Sequence, residues 1–141
     1  MIIDTHAHYD DEQFDADREA LLGMMQENGI GKIVNASAAI SSWDSVIELT
    51  RRYPFVYGMI GVHPDEVGGL DEEKFFRMEQ LLKEEKIVAV GEIGLGLLLG
   101  SGKSRCAEKV VCPTVGTGRK AGKACQYPQP GCGGGYNGDH A

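Results

Sequence analysis

Residues 4 to 8 read DTHAH. Side chains along a strand alternate between its two faces, so an extended backbone puts Asp4, His6 and His8 on one face. Two imidazoles placed in this way can bind one cation, although histidines two positions apart also arise by chance. His63 stands in GVHP and Glu92 in GEIGL, each at the end of an apolar run. Taken singly they have plain explanations: a histidine before proline is commonly a loop residue, and a glutamate in an apolar run can pair with a core lysine. Together, His6, His8, His63 and Glu92 form a donor set for divalent cations, provided one rim carries them all.

The elements that must carry them follow from hydrophobic period. Met1 to Ala7 opens as a short apolar run, and residues 15 to 29 (DADREALLGMMQENG) carry Leu21, Leu22, Met24 and Met25 among acids and stop at a glycine. KIVNAS at 32–37 is a second β-branched run. It is followed at 40–53 by Trp43, Val46, Ile47 and Leu49 at near-helical spacing after serines. VYGMIGV at 56–62 is a third strand. The helix predicted over 71–84 has an acidic first turn and an apolar side of Phe75, Phe76, Met78, Leu81 and Leu82. IVAVGEIGL at 87–95 is a fourth, nearly all-apolar strand.

Alternating strands and helices, with strands apolar on both faces, predict a parallel sheet covered by helices. About three and a half βα units are present. Each candidate residue then lies at the C-terminal end of a strand, the face on which parallel α/β barrels build their active sites.

Composition limits the alternatives. The 141-residue chain has a formal net charge of −7, which speaks against a broad basic nucleic-acid-binding face. Recognition of a nucleic-acid end or a small phosphoester stays open. The opening MIIDTHAHYDDE has no basic n-region, and the apolar runs are too short to cross a bilayer. A soluble, cytoplasmic protein without membrane contact is expected.

MIIDTHAHYDDEQFD, GVHPDEV and VAVGEIGL, in this order and at these separations, resemble the N-terminal half of the TatD family of metal-dependent hydrolases, a branch of the amidohydrolase-type barrels. The resemblance covers residues 1 to about 95. It implies a (β/α)8 barrel of TIM type holding two divalent metals and cleaving phosphoester bonds, commonly as a DNase acting at 3′ ends. Carried onto this chain, it makes His6 and His8 ligands of one metal, Glu92 a bridge between two, and His63 a contact to substrate phosphate. Zn, Mn and Mg are not distinguished by these donors. The remaining family ligands, two histidines and an aspartate, belong to its second half and have no counterpart here, and no catalytic residue is assignable. Metal affinity is therefore expected to be weak and turnover negligible. Two other readings are an amide or lactone hydrolase on the same barrel and a non-catalytic half-barrel assembly module.

The sense of the sequence changes at Gly96. Residues 1–96 contain 8 Lys+Arg against 19 Asp+Glu, whereas residues 97–141 contain 6 against 2, with ten of the 20 glycines and all four cysteines. GLLLGSGKS imitates a phosphate-binding loop, but Leu97 stands where the first glycine belongs. Cys106, Cys112, Cys125 and Cys132 lack the close pairing of zinc sites, and His140 reads as a solvated residue. The family usually continues GEIGL with Asp-Tyr-Tyr-Trp, and Gly-Leu-Leu-Leu can be those residues read one base out of step. The same shift permits Val-Ser-Ile-His-Ser-Arg-Asp for CQYPQPG, one of several readings at each position, which resembles the family's next strand. The expected organisation is a half barrel over 1–96 and a frameshifted, poorly ordered tail over 97–141. It leaves the first and fourth strands with unpaired edges.

Overall fold

The computed structural model describes residues 1–63, 66, 69–92, 118, 120 and 122–125. Strand β1 (Ile2–Ala7), helix α1 (Arg18–Met24), β2 (Ile30–Ala36), α2 (Trp43–Arg52), β3 (Val56–Ile60), α3 (Glu72–Leu81), β4 (Ile87–Val90) and β5 (Ala124–Cys125) follow in chain order. Single 3-10 turns at Glu12–Phe14 and Ile40–Ser42 precede α1 and α2. The five strands form one parallel sheet in sequential order, β1 to β5. Parallel neighbours need a crossover, and helices α1, α2 and α3 provide the first three.

The helices bury their apolar stripes on one face of the sheet. Leu22 and Met25 of the first crossover pack with Ile33, Leu49 and Val56, while Trp43, Val46, Met78 and Leu82 pack with Ile60, Val62, Ile87 and Val90. The opposite face carries a smaller cluster of Ala36, Met59 and Ala89 beside Val34. Small side chains suit the concave side of a curled sheet. Gly58 is buried between strand and helix, where an added Cβ would lie 2.6 Å from Ile87 Cδ1 and 2.9 Å from Val46 Cγ1. At Gly29, φ is +84°, the left-handed backbone that turns the end of the first crossover into β2.

Several elements differ from the sequence reading. Helix α1 is shorter than residues 15–29, and Met24 is exposed because Leu22 and Met25 define the buried stripe. Phe76 is likewise exposed; Phe75, Met78 and Leu82, spaced three and four apart, face the sheet, and Phe76 lies about 100° further round the helix. Exposed Ile2 and Ile3 show that β1 is not covered on both faces. The expectation of an unpaired β4 edge is corrected: Ala89 and Val90 pair with Ala124 and Cys125 of β5, the outermost strand among the described residues. Most of the tail, including Cys106, Cys112, Cys132, His140 and the GLLLG segment, lies outside the described residues. Among the described residues, no helix is long and apolar enough to cross a membrane.

Candidate metal centre

The histidines sit at the C-terminal end of β1. Between Asp4 and Ala7 this strand contains one residue more than the β2 segment from Ile33 to Asn35 that it faces, an irregularity of the bulge type. The Asp4 carboxylate accepts the His6 N–H at 3.1 Å. His6, within β1, and His8, just past it, bring their Nε2 atoms to 2.9 Å with their rings edge to face. Glu92, just past the end of β4, brings Oε1 to 3.1 Å from His6 Nε2. One ligand atom from each of these three half-buried residues lies within 4.8 Å of the others. His63 follows β3 and donates its N–H to the Ala38 carbonyl at 2.9 Å. It does not belong to this three-residue cluster.

The donor set fits a divalent cation. His8 Nδ1 lies 3.0 Å from the Ala36 carbonyl, which can only accept, so the ring proton is on Nδ1 and the lone pair of Nε2 is directed into the cluster. Metal-bound histidines are oriented in the same way by a carbonyl or carboxylate behind the ring. Two imidazole nitrogens and a carboxylate oxygen are ligands common to Zn2+ and Mn2+. Such an ion would be held by these three atoms in place of the present contacts of His6 with His8 and with Glu92.

Residues that the sequence reading passed over hold this geometry. Asn35, fully buried in β2, accepts the Tyr9 N–H at 2.6 Å and donates to Asp10 Oδ1 at 2.6 Å, tying down the loop that leaves His8. Arg18 donates to the carbonyls of Tyr9 and Asp11 and to the Asp15 carboxylate from the other side of that loop. Burial, followed by the nearby Asp4 charge, raises the Tyr9 phenol above its ordinary value, so it stays protonated at neutral pH. Gly61 permits a close approach: an added Cβ would stand 2.5 Å from the Gly91 carbonyl carbon and 2.7 Å from the backbone carbonyl oxygen of Glu92. The only signals in sequence were an asparagine inside an apolar run and the glycine of GVHP.

A parallel β/α half barrel with two imidazoles and a carboxylate gathered at its C-terminal strand ends places the chain among the barrel proteins that build a metal centre on that face. The comparisons narrow the class. The chain belongs to the TatD related DNase family, whose model matches residues 3–122. It is 34% identical over 95 residues to a Bacillus subtilis protein described as the uncharacterized metal-dependent hydrolase YabD, covering 67% of this chain and 37% of that protein. It is 29% identical over 83 residues to a protein of Cronobacter turicensis named 3'-5' ssDNA/RNA exonuclease TatD, covering 59% and 32%. The crystal structure of YJJV, a TatD homolog from Escherichia coli, superposes with a TM-score of 0.77 at 26% identity, covering 89% of this chain and 49% of that one. The chain thus spans under two fifths of the length of these curated relatives and about half of the solved barrel.

Proposed function

We propose that this chain carries part of the active site of a phosphoester hydrolase acting at nucleic-acid 3′ ends. The observation that carries the reading is the convergence of His6 Nε2, His8 Nε2 and Glu92 Oε1 on one point at the strand ends. A divalent ion bound there would acidify a water and neutralise charge on a phosphodiester. The protein's share is to hold two imidazole lone pairs and one carboxylate in place, with His8 locked through Ala36. His63, on the neighbouring strand end, is assigned to the substrate phosphate, and Glu92 to a position between two ions. The relative named as a 3'-5' ssDNA/RNA exonuclease supports this substrate class, and the one named as a metal-dependent hydrolase supports the use of a metal.

Only three of the family's ligand positions are assigned here, so we infer weak metal binding and negligible turnover for the 141 residues as they stand. The change of composition beyond Gly96 supports a shifted reading frame over 97–141. Removal of one base near codon 96 of the coding DNA should restore Asp-Tyr-Tyr-Trp. The frame-corrected protein, assayed with Mn2+ or Zn2+, should shorten single-stranded DNA from its 3′ end. Activity confined to amide or lactone substrates would overturn the phosphoester reading. A stoichiometric, metal-loaded dimer of the uncorrected chain would overturn the reading of it as an isolated partial site.

A further inference from the structure

The end of β2 contributes no donor atom to the cluster, yet it reaches both sides of it. The Ala36 carbonyl orients His8. The next residue, Ser37, is fully buried where three strand ends meet. Its hydroxyl accepts the Gly61 N–H at 2.9 Å and has the Gly61 carbonyl at 3.1 Å and the Gly91 carbonyl at 3.5 Å as acceptors for its proton. The Ser37 backbone carbonyl accepts the Glu92 N–H at 3.2 Å, and its own N–H is taken by Met59. Ser37 follows β2 and Glu92 follows β4, so this bond passes over the end of β3. That path is open because Gly61 has no side chain to fill it.

We propose that Ser37 is the positioning residue for Glu92. The regular ladder between β3 and β4 ends at Ile60 and Val90, one and two residues short of Gly61 and Glu92. One further bond, from the Gly91 N–H to the Ile60 carbonyl at 3.1 Å, joins the two strands; beyond it the Ser37 hydroxyl takes over, bonded to Gly61 after β3 and 3.5 Å from the Gly91 carbonyl after β4. A hydroxyl can accept and donate at once, whereas alanine can do neither and would leave the buried Gly61 N–H without this bond. Loss of the hydroxyl therefore leaves the Gly91–Glu92 segment on its two backbone bonds to Ile60 and Ser37 and loosens the spacing that sets the carboxylate against His6. His8, held through Ala36, keeps its place.

The test uses the full chain and has two readouts, of which only the second rests on the proposed metal centre. In the metal-free protein, amide hydrogen exchange followed by NMR should show Ser37→Ala losing about tenfold or more of the protection at Gly61 and Glu92. Ser37→Thr should restore it. Thr50→Val, which removes a buried hydroxyl bonded instead to the Ile47 carbonyl, should leave both amides unchanged. In a Zn2+ titration, Ser37→Ala should weaken binding on the order of tenfold, as removal of a residue behind a metal ligand does. Adding Ser37→Ala to Glu92→Gln should weaken it no further, because the serine acts through the glutamate. Unchanged protection at Glu92 in folded Ser37→Ala overturns the proposal, as does an equal loss of Zn2+ affinity with and without Glu92. Should Ser37→Ala fail to fold, Ser37→Cys takes its place, and Glu92 protection equal to that of Ser37→Thr overturns the proposal. A wild-type chain that binds no Zn2+ overturns the metal reading, while the exchange measurement still decides the role of Ser37.

Discussion

His6 Nε2 and Glu92 Oε1 lie 3.1 Å apart although their strands, β1 and β4, have β2 and β3 between them. In a flat sheet three strand spacings amount to about 14 Å. The curl of the sheet and the inward reach of both side chains close that distance. A cation held by this pair reports on the curvature as well as on the two residues. His6→Ala and Glu92→Gln should each lower Zn2+ affinity at least tenfold by isothermal titration, with little change in far-UV circular dichroism. Equal affinity in the variants would remove this cluster as the binding site.

Gly61 should tolerate no side chain. The Cβ of Gly61→Ala would meet backbone atoms of Gly91 and Glu92 at 2.5 to 2.7 Å, and backbone cannot rotate aside as a long side chain can. The substitution should destabilise the fold by about 1–3 kcal/mol, the usual range for overpacking, and weaken Zn2+ binding together with stability. Urea unfolding combined with metal titration checks both.

Asn35 should matter through the loop after His8. Asn35→Ala removes a fully buried side chain that partners the half-buried Tyr9 N–H and Asp10 carboxylate, a change worth about 1–3 kcal/mol. Faster amide exchange should then appear at Tyr9, while Glu92, on the other side of the cluster, keeps its protection.

Trp43 links the helical layer to the rim. Its indole Nε1–H donates to the Gly61 carbonyl at 2.8 Å from a fully buried position. Trp43→Phe keeps most of the apolar volume and loses that bond, so its denaturation midpoint should fall with the slope unchanged. An altered slope would mean that a larger unit had loosened.

The cap of α3 gives a pH dependence with a defined sign. Asp71 accepts the Lys74 N–H at 2.8 Å, and this bond, with the Lys74 side chain second, holds its carboxyl below the ordinary 3.8. A depressed folded-state pKa adds stability above the unfolded value and loses it as pH falls through the folded value. The stability advantage of the wild type over Asp71→Asn should therefore be constant near neutrality and shrink below about pH 4. Thermal midpoints measured between pH 7 and pH 2 would show it.

Much of this architecture was legible because parallel β/α structure writes itself twice. Ile33, Val56 and Ile87 stand in short β-branched runs, and Trp43, Val46 and Ile47 repeat at helical spacing, so β2, β3, β4 and α2 emerge with their order. Helix faces were less legible. Phe76 and Met24 carry the same hydrophobic signal as Phe75 and Met25, and only the orientation of the helix on the sheet separates exposed from buried. β5 left no trace in the period, since two residues are too few to set one.

For the site, His6, His8 and Glu92 were readable from type, spacing and position after strands, and the structure brings all three together. His63 was read from its place after a strand as a contact to substrate phosphate, and it stands after β3 beside the three-residue cluster rather than in it. The supports Asn35, Ser37, Gly61 and Trp43 were not readable, because each acts through a hydrogen bond or a missing Cβ toward a residue distant in sequence. By itself, the sequence determined which side chains can donate to a cation and that they follow parallel strands, since both depend on local chemistry and period. Only the tertiary structure decided that Glu92 meets His6 across two intervening strands. That contact depends on the curl of the sheet and on the backbone approach at Gly61, which no local pattern encodes.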